Sequence, residues 1–118
     1  MSRVFVVQMP HQLSPRKNRL VPKFPHLVEQ AEHWGEVIFL LTPTASPFNS
    51  QPIIRELHTK LWNFSDEDYL VLVGSPWLIG LTTAIAALHN QGRVKGLQWS
   101  GRDNQYKEVS ADVSPGGE

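Results

Sequence analysis

From Tyr69 to Leu88 the chain carries no charged residue. A stretch of this length is enough to span a bilayer, so how it folds constrains everything else. Gly74-Ser75-Pro76 interrupts it. Before the break, Tyr69-Leu70-Val71-Leu72-Val73 is aromatic and branched with little alternation, the pattern of a strand covered on both faces. After it, Ser75 can cap a helix and Pro76 presets the first helical φ. Leu78, Leu81, Ile85 and Leu88 then recur at helical spacing, beside Gly80, Ala84 and Ala87, where the helix can approach a sheet closely. A strand turning at a glycine into an enclosed helix explains the run better than a membrane span. On this reading Gly80→Leu is far more damaging than Lys60→Leu, because added volume pushes the helix off the sheet.

The rest of the chain repeats that unit. Val4-Phe5-Val6-Val7 and Val37-Ile38-Phe39-Leu40-Leu41 are further strand-like runs, and Val94 to Trp99 is a weaker one. Between them, Leu27, Ala31 and Trp34 fall on one helical face, with Glu29, Glu32 and His33 opposite and Gly35 as the stop. Asn49 or Ser50 can open another helix, with Pro52 in its first turn and Ile53, Ile54, Leu57 and Leu61 as its buried stripe. Strands alternating with helices imply right-handed crossovers and a parallel sheet. The turn-rich Ser100 to Asn104 and the returning run Tyr106 to Val113 predict an antiparallel hairpin at one edge. The expected architecture is therefore a small three-layer α/β domain, Rossmann- or flavodoxin-like. It has a parallel sheet of three to four strands and a C-terminal β-hairpin, and it spans residues 1–113 with a flexible tail at 114–118. Residues 10–25, with four prolines and four basic residues, read as a long basic loop.

Composition narrows the chemistry. Eleven Lys+Arg balance eleven Asp+Glu, so no global field draws the chain to nucleic acid or an anionic membrane. No cysteine is present, which removes disulfides, thiolate nucleophiles and Cys-ligated zinc and suits a reducing compartment. Met1 to Val7 lacks the features of a signal peptide.

In an open parallel sheet, ligands lie beyond the carboxyl ends of the strands. That edge collects Gln8, Met9 and His11 after the first strand, Thr42 and Thr44 after the second, and Gly74 and Ser75 after the third. The free N–H groups of the helix starting at Ser75 attract phosphate or carboxylate, while the plain alternative is a structural cap. The turn is neither a P-loop nor a dinucleotide fingerprint. Arg16, Lys17, Arg19 and Lys23 follow the first strand and would lie over the same edge, closing on an anion or touching a nucleic-acid backbone. His26, Glu29 and His33 share a helical face with metal-ligand spacing, on what is also the expected polar face of that helix. Asp66, Glu67 and Asp68 read as a solvated turn at the opposite end of the sheet. His58 and His89 read as isolated. No Ser/His/Asp arrangement can be assembled by spacing, and no cofactor is called for. Trp34, Trp62, Trp77 and Trp99 read mostly as perimeter core, with one or two available to a partner surface.

Asp68-Tyr-Leu-Val-Leu-Val-Gly-Ser-Pro-Trp-Leu-Ile-Gly-Leu, Ala84 to Ala87 and Asn90-Gln91-Gly92-Arg93-Val94 with Trp99 resemble a group of small uncharacterised proteins from tailed bacteriophages. The resemblance covers about residues 66–113. That group has Gly-Asp-Pro at the turn and an Asp after the Trp, where this chain has Ser75 and Ser100. Because Asp and Ser are both good caps, the exchange at position 75 suits a structural cap better than a catalytic carboxylate. The resemblance implies a phage origin and the host cytoplasm, and it carries no reaction with it.

Three functions follow in order of preference. The first is a non-enzymatic accessory protein that binds a host or phage protein or other macromolecule. The second is an anion or nucleotide binder, or a small enzyme, using Ser75 with Thr42, His11 and Arg16 or Lys17. The third is a nucleic-acid binder acting through residues 16–23. Membrane attachment is not expected, and exposed sheet edges leave room for self-association.

Overall fold

A computed structural model of the chain describes residues 2–116. The elements run β1 (Arg3–Val6), β2 (His11–Ser14), β3 (Arg19–Pro22), α1 (Pro25–Glu32), β4 (Glu36–Phe39), α2 (Ser50–Leu61), β5 (Tyr69–Val71), α3 (Pro76–His89), β6 (Arg93–Ser100) and β7 (Gln105–Asp112). The main sheet has the order β4-β1-β5-β6-β7, parallel except for β7, which returns antiparallel to β6. The four apolar runs thus become the four parallel strands, and the expected terminal hairpin closes one edge.

Helices pack on both faces. Phe5, Val7 and Leu70 point to one side, where Ile53, Leu57 and Leu61 of α2 and Leu78, Ile85 and Ala86 of α3 cover them. Val4, Val6, Val71 and Leu97 point to the other, against Ala31 of α1, Tyr106 and partly buried Trp34 and Trp99. Strands covered on both faces need continuous apolar runs, which is why these segments do not alternate. The uncharged run splits at Gly74 into β5 and α3. Among the described residues no helix is long and apolar enough to cross a membrane.

Four expectations need correction. The segment expected to be a loop contains a second, two-stranded antiparallel sheet, β2 with β3, pairing His11 with Pro22 and Ser14 with Arg19. Pro15 to Asn18 form its turn, closed by the Asn18 N–H donating to the Ser14 carbonyl at 2.8 Å. Asn18 takes a positive φ of 48°, which asparagine tolerates.

The second correction is the phase of α3. Its buried face is Leu78, Thr82, Ile85, Ala86 and Ala87, while Leu88, Gly80 and Ala84 are exposed. A Cβ placed at Gly80 would meet nothing within 4 Å, so close approach to the sheet is not its role. Thr82 can sit on the inner face because its hydroxyl donates to the Leu78 carbonyl at 2.8 Å. A helix apolar all round offers no polar side to fix its rotation, and the sheet selects the phase.

Third, Asp68 is only 1 % exposed rather than part of a solvated turn. It accepts from Arg3 Nη2 at 2.8 Å, Arg3 Nε at 3.2 Å and the Ser65 N–H at 2.9 Å, tying the start of β1 to the turn before β5. Fourth, His58 and His89 are not isolated. Their rings meet between α2 and α3, Nδ1 to Nε2 at 2.8 Å, one donating and the other accepting.

At the carboxyl end, the Ser114 hydroxyl donates to the Gln91 carbonyl at 3.0 Å and its N–H to Asp112 Oδ1 at 2.9 Å, holding that residue to the α3–β6 turn. The part of the expected tail at Gly117 and Glu118 lies outside the described residues.

Candidate functional site

The chain leaves β1 through α1 to β4 on one side, then crosses through α2 on the other face to β5. The crevice between the carboxyl ends of β1 and β5 is where ligands sit in sheets of this kind. Here the Gln8 side chain occupies it. Gln8 is nearly buried, and its Oε1 accepts from the Ser75 N–H at 3.1 Å. Its Nε2 donates to the carbonyls of Ala45 at 2.9 Å and Thr42 at 3.2 Å. One amide thus joins the loops that follow three parallel strands.

Gly74 makes this fit. Its φ is +116°, and a Cβ there would stand 2.6 Å from Gln8 Cβ and 2.8 Å from the Gln8 carbonyl oxygen. Ser75 is the N-cap of α3, but its hydroxyl makes no capping bond; the Gln8 amide satisfies the N–H of Ser75 itself. The Thr42 and Thr44 hydroxyls pair with one another at 3.3 Å on the surface.

Of the residues expected at this edge, the fold brings Gln8, Thr42, Gly74 and Ser75 together. Thr44 bonds Thr42 there, and His11 lines one shallow depression with Thr42, Phe39 and Lys60, whereas the arm cations lie elsewhere. His11 Nδ1 donates to the Met9 carbonyl at 2.7 Å, and the ring stands edge-on to Phe39, 6.4 Å between centroids, at the base of the β2–β3 arm. Arg16 and Lys17 occupy the arm's turn and Arg19 opens β3, all exposed. Lys17 and Arg19 line a shallow depression with Leu20, Val21 and Pro22 of the arm and Pro25 at the start of α1. The metal-spaced trio does not converge. His26 packs edge-on against Trp99 at 5.7 Å, and among the described residues no group of three or more His, Asp or Glu is placed to hold an ion. Trp62 and Trp77 are exposed, whereas Trp34 and Trp99 are packed against the α1 side of the core.

The arm is the feature that sequence reasoning missed. Leu13 and Leu20 face each other across it and are 61 % and 64 % exposed. Opposed residues share a face, so both leucines stand on one side of a two-stranded ribbon with no sheet behind them. The Lys23 N–H donates to the Pro10 carbonyl at 2.7 Å and clamps its base. Arg16, Lys17, Arg19 and Lys23 form no ion pair among the described residues; the four ion pairs lie elsewhere, at Arg3–Asp68, Lys60–Glu56, Arg93–Asp66 and Lys107–Asp103. No acidic residue occurs before Glu29. The available signals were Pro15 and Asn18 as turn formers between Leu13 and Leu20.

Compared with known proteins, residues 2–113 match a family model described as Phage Pam3 gp32-like protein. The match takes in the arm and β1 as well as the segment from residue 66 onward. No curated protein and no solved structure matches the chain.

Proposed function

Since the chain belongs to the Phage Pam3 gp32-like protein family, we propose that it is a phage accessory protein without catalytic activity, acting in the cytoplasm of the infected host. On this reading a flavodoxin-like body carries the β2–β3 arm as its contact element, and the partner is a polyanion, with nucleic acid as the class that fits best. One observation carries it: Arg16, Lys17, Arg19 and Lys23, four cations without an ion pair among the described residues, stand on or beside an exposed ribbon, while the rest of the chain has 7 Lys+Arg against 11 Asp+Glu. A localised positive element of this kind gains affinity by releasing counterions from a phosphate backbone. Net neutrality, which argues against nucleic acid when charge is averaged over the chain, does not bear on a patch separated from the acids.

The crevice supports an anion site less well. Of the N–H groups at the start of α3, that of Ser75 is already engaged by the Gln8 amide, which fills the crevice.

Fluorescence anisotropy with labelled duplex DNA and single-stranded RNA, titrated across salt concentrations, tests the proposal. Binding should weaken as salt rises. Replacing Arg16, Lys17 and Arg19 together by alanine should make the log–log salt slope shallower by up to about 3, roughly one per lost phosphate contact. Unchanged binding in that variant, or none by the unaltered chain at low salt, overturns it. The second result would turn attention to a protein partner for Leu13 and Leu20.

A further inference from the structure

The two edges of the main sheet are unlike. β4 is four residues long, and its end is flanked by the His11 ring on Phe39. β7 is eight residues long, without proline, and its register with β6 is uninterrupted from Gln105 to Asp112. Among the described residues no strand pairs with its outer side. Sheets protect such edges with short strands, prolines, bulges or charged side chains; β7 has only the last of these, Lys107, Glu108 and Asp112.

The face of β6 and β7 on the α2–α3 side is also open. Val94 packs into that side of the core, so Gly96 and the opposed Val109 and Ala111 share its face. With Leu72 and Thr83 they line a groove of about 190 Å³ that no helix covers. Val109, at its outer rim, is 42 % exposed.

We propose that a second copy of this chain docks here, β7 pairing antiparallel with its counterpart about a two-fold axis normal to the sheet, so that two five-stranded sheets become one. Such an axis keeps each face continuous, and residues opposite one another must then lie on the same face. Charge selects among the registers that remain. Centring on Lys107 or Glu108 sets a like charge against itself, and centring on Ser110 sets Glu108 against Asp112. Centring on Val109 opposes Val109 to its counterpart, Glu108 to Ser110 and Lys107 to Ala111, with no like pair, and it pairs more of β7 than centring on Tyr106 or Ala111 does. That register also brings the apolar rims of the two grooves together at the axis, where the Lys107 stem of each copy can lie over Ala111 of the other. The chain's zero formal net charge imposes no long-range repulsion between copies. The arm emerges beyond β1, toward the opposite edge, and stays free.

The chain has no cysteine, so one introduced thiol reports without ambiguity. Directly opposed residues in an antiparallel pair stand about 4.5–5.5 Å apart at Cα, within disulfide reach. Oxidised Val109→Cys should run as a covalent dimer, and Gln98→Cys, two strands from the axis, should not. Sedimentation equilibrium on the full chain should show a dimer. Ser110→Lys, which faces Glu108 of the copy, should tighten it several-fold, and Ser110→Glu should weaken it several-fold. Misfolding cannot produce that reversal of sign. A monomer at every concentration, both Ser110 variants shifting the dimer in the same direction, or cross-linking through Gln98→Cys but not Val109→Cys overturns the proposal.

Discussion

Three side chains hold together parts of the chain distant in sequence, and each makes a measurable prediction. Gln8 satisfies one N–H and two carbonyls that would otherwise be left at the edge of the core. Gln8→Leu keeps the volume and strips all three bonds, so it should cost about 2–4 kcal/mol in urea unfolding, the sum expected when several partly buried polar groups lose their partners. Asp68 acts at the opposite end of the sheet. Burial pushes its carboxyl up, but the hydrogen bonds from Arg3 and Ser65 outweigh that and hold it below the ordinary carboxylate range. A carboxyl depressed in the folded state contributes stability at neutral pH and loses it as pH falls below about 4. Asp68→Asn should therefore cost about 2–3 kcal/mol at pH 7, and the variant should lose less stability than the unaltered chain on going to pH 3. Tyr106 has the reverse sign. Burial pushes its hydroxyl up to about 12, and that hydroxyl donates to the Leu27 carbonyl at 3.1 Å, joining β7 to α1. Its contribution is complete below the ordinary tyrosine value of about 10 and lost as pH rises from there to about 12. In Tyr106→Phe that alkaline loss should be smaller. The sequence shows the residue types in all three cases, but Gln8 and Asp68 owe the long-range part of their roles to partners 34 to 67 positions away, beyond any local pattern.

Among the elements, the helices divide by how clearly their pattern fixes their rotation. In α2, Ile53, Leu57 and Leu61 are buried as spacing predicts, since Arg55 and Lys60 mark the outward side. In α3 there is no charge to mark a side, and the stripe read from leucines alone turns Leu88 inward when it is in fact exposed. The consequence is a reversed mutational expectation. Gly80 lies on the open side of a regular helix, so Gly80→Ala should stabilise the protein by about 0.5–1 kcal/mol. Lys60, by contrast, donates to the Leu40 carbonyl and pairs with Glu56, so Lys60→Leu loses contacts that the sequence does not reveal. Gly74→Ala should be the damaging glycine change, since positive φ and the nearby Gln8 backbone both exclude a methyl group. Paired thermal melts of Gly80→Ala and Gly74→Ala check the contrast; equal shifts would contradict it. The parallel strands were legible because burial on both faces leaves an apolar run with little polar interruption. The β2 and β3 strands were not, because an exposed four-residue ribbon with proline and four cations nearby carries neither alternation nor burial.

For the molecule as a whole, shape gives the arm its meaning. The radius of gyration is 14.5 Å, and the extents are 52 × 35 × 26 Å. A compact chain of this length would have a radius of about 13.5 Å, so the molecule is somewhat more extended than average for its length. Leu13 and Leu20 contribute little to the core from their exposed ribbon, and an isolated two-stranded hairpin is at best marginally stable in water. Folding stability alone therefore does not account for residues 11–22, whereas a contact surface does. The two requirements separate experimentally. Joining Pro10 to Lys23 through a short glycine-serine turn should leave unfolding cooperative and change stability by less than about 1 kcal/mol, because the layers built on β1, β4, β5 and β6 are untouched and loop closure depends only weakly on length. The same deletion should abolish binding to nucleic acid. If the deleted chain instead loses its cooperative transition, the arm is part of the folding unit and its cations are no guide to function. If it folds and still binds with an unaltered salt slope, the contact surface lies on the body.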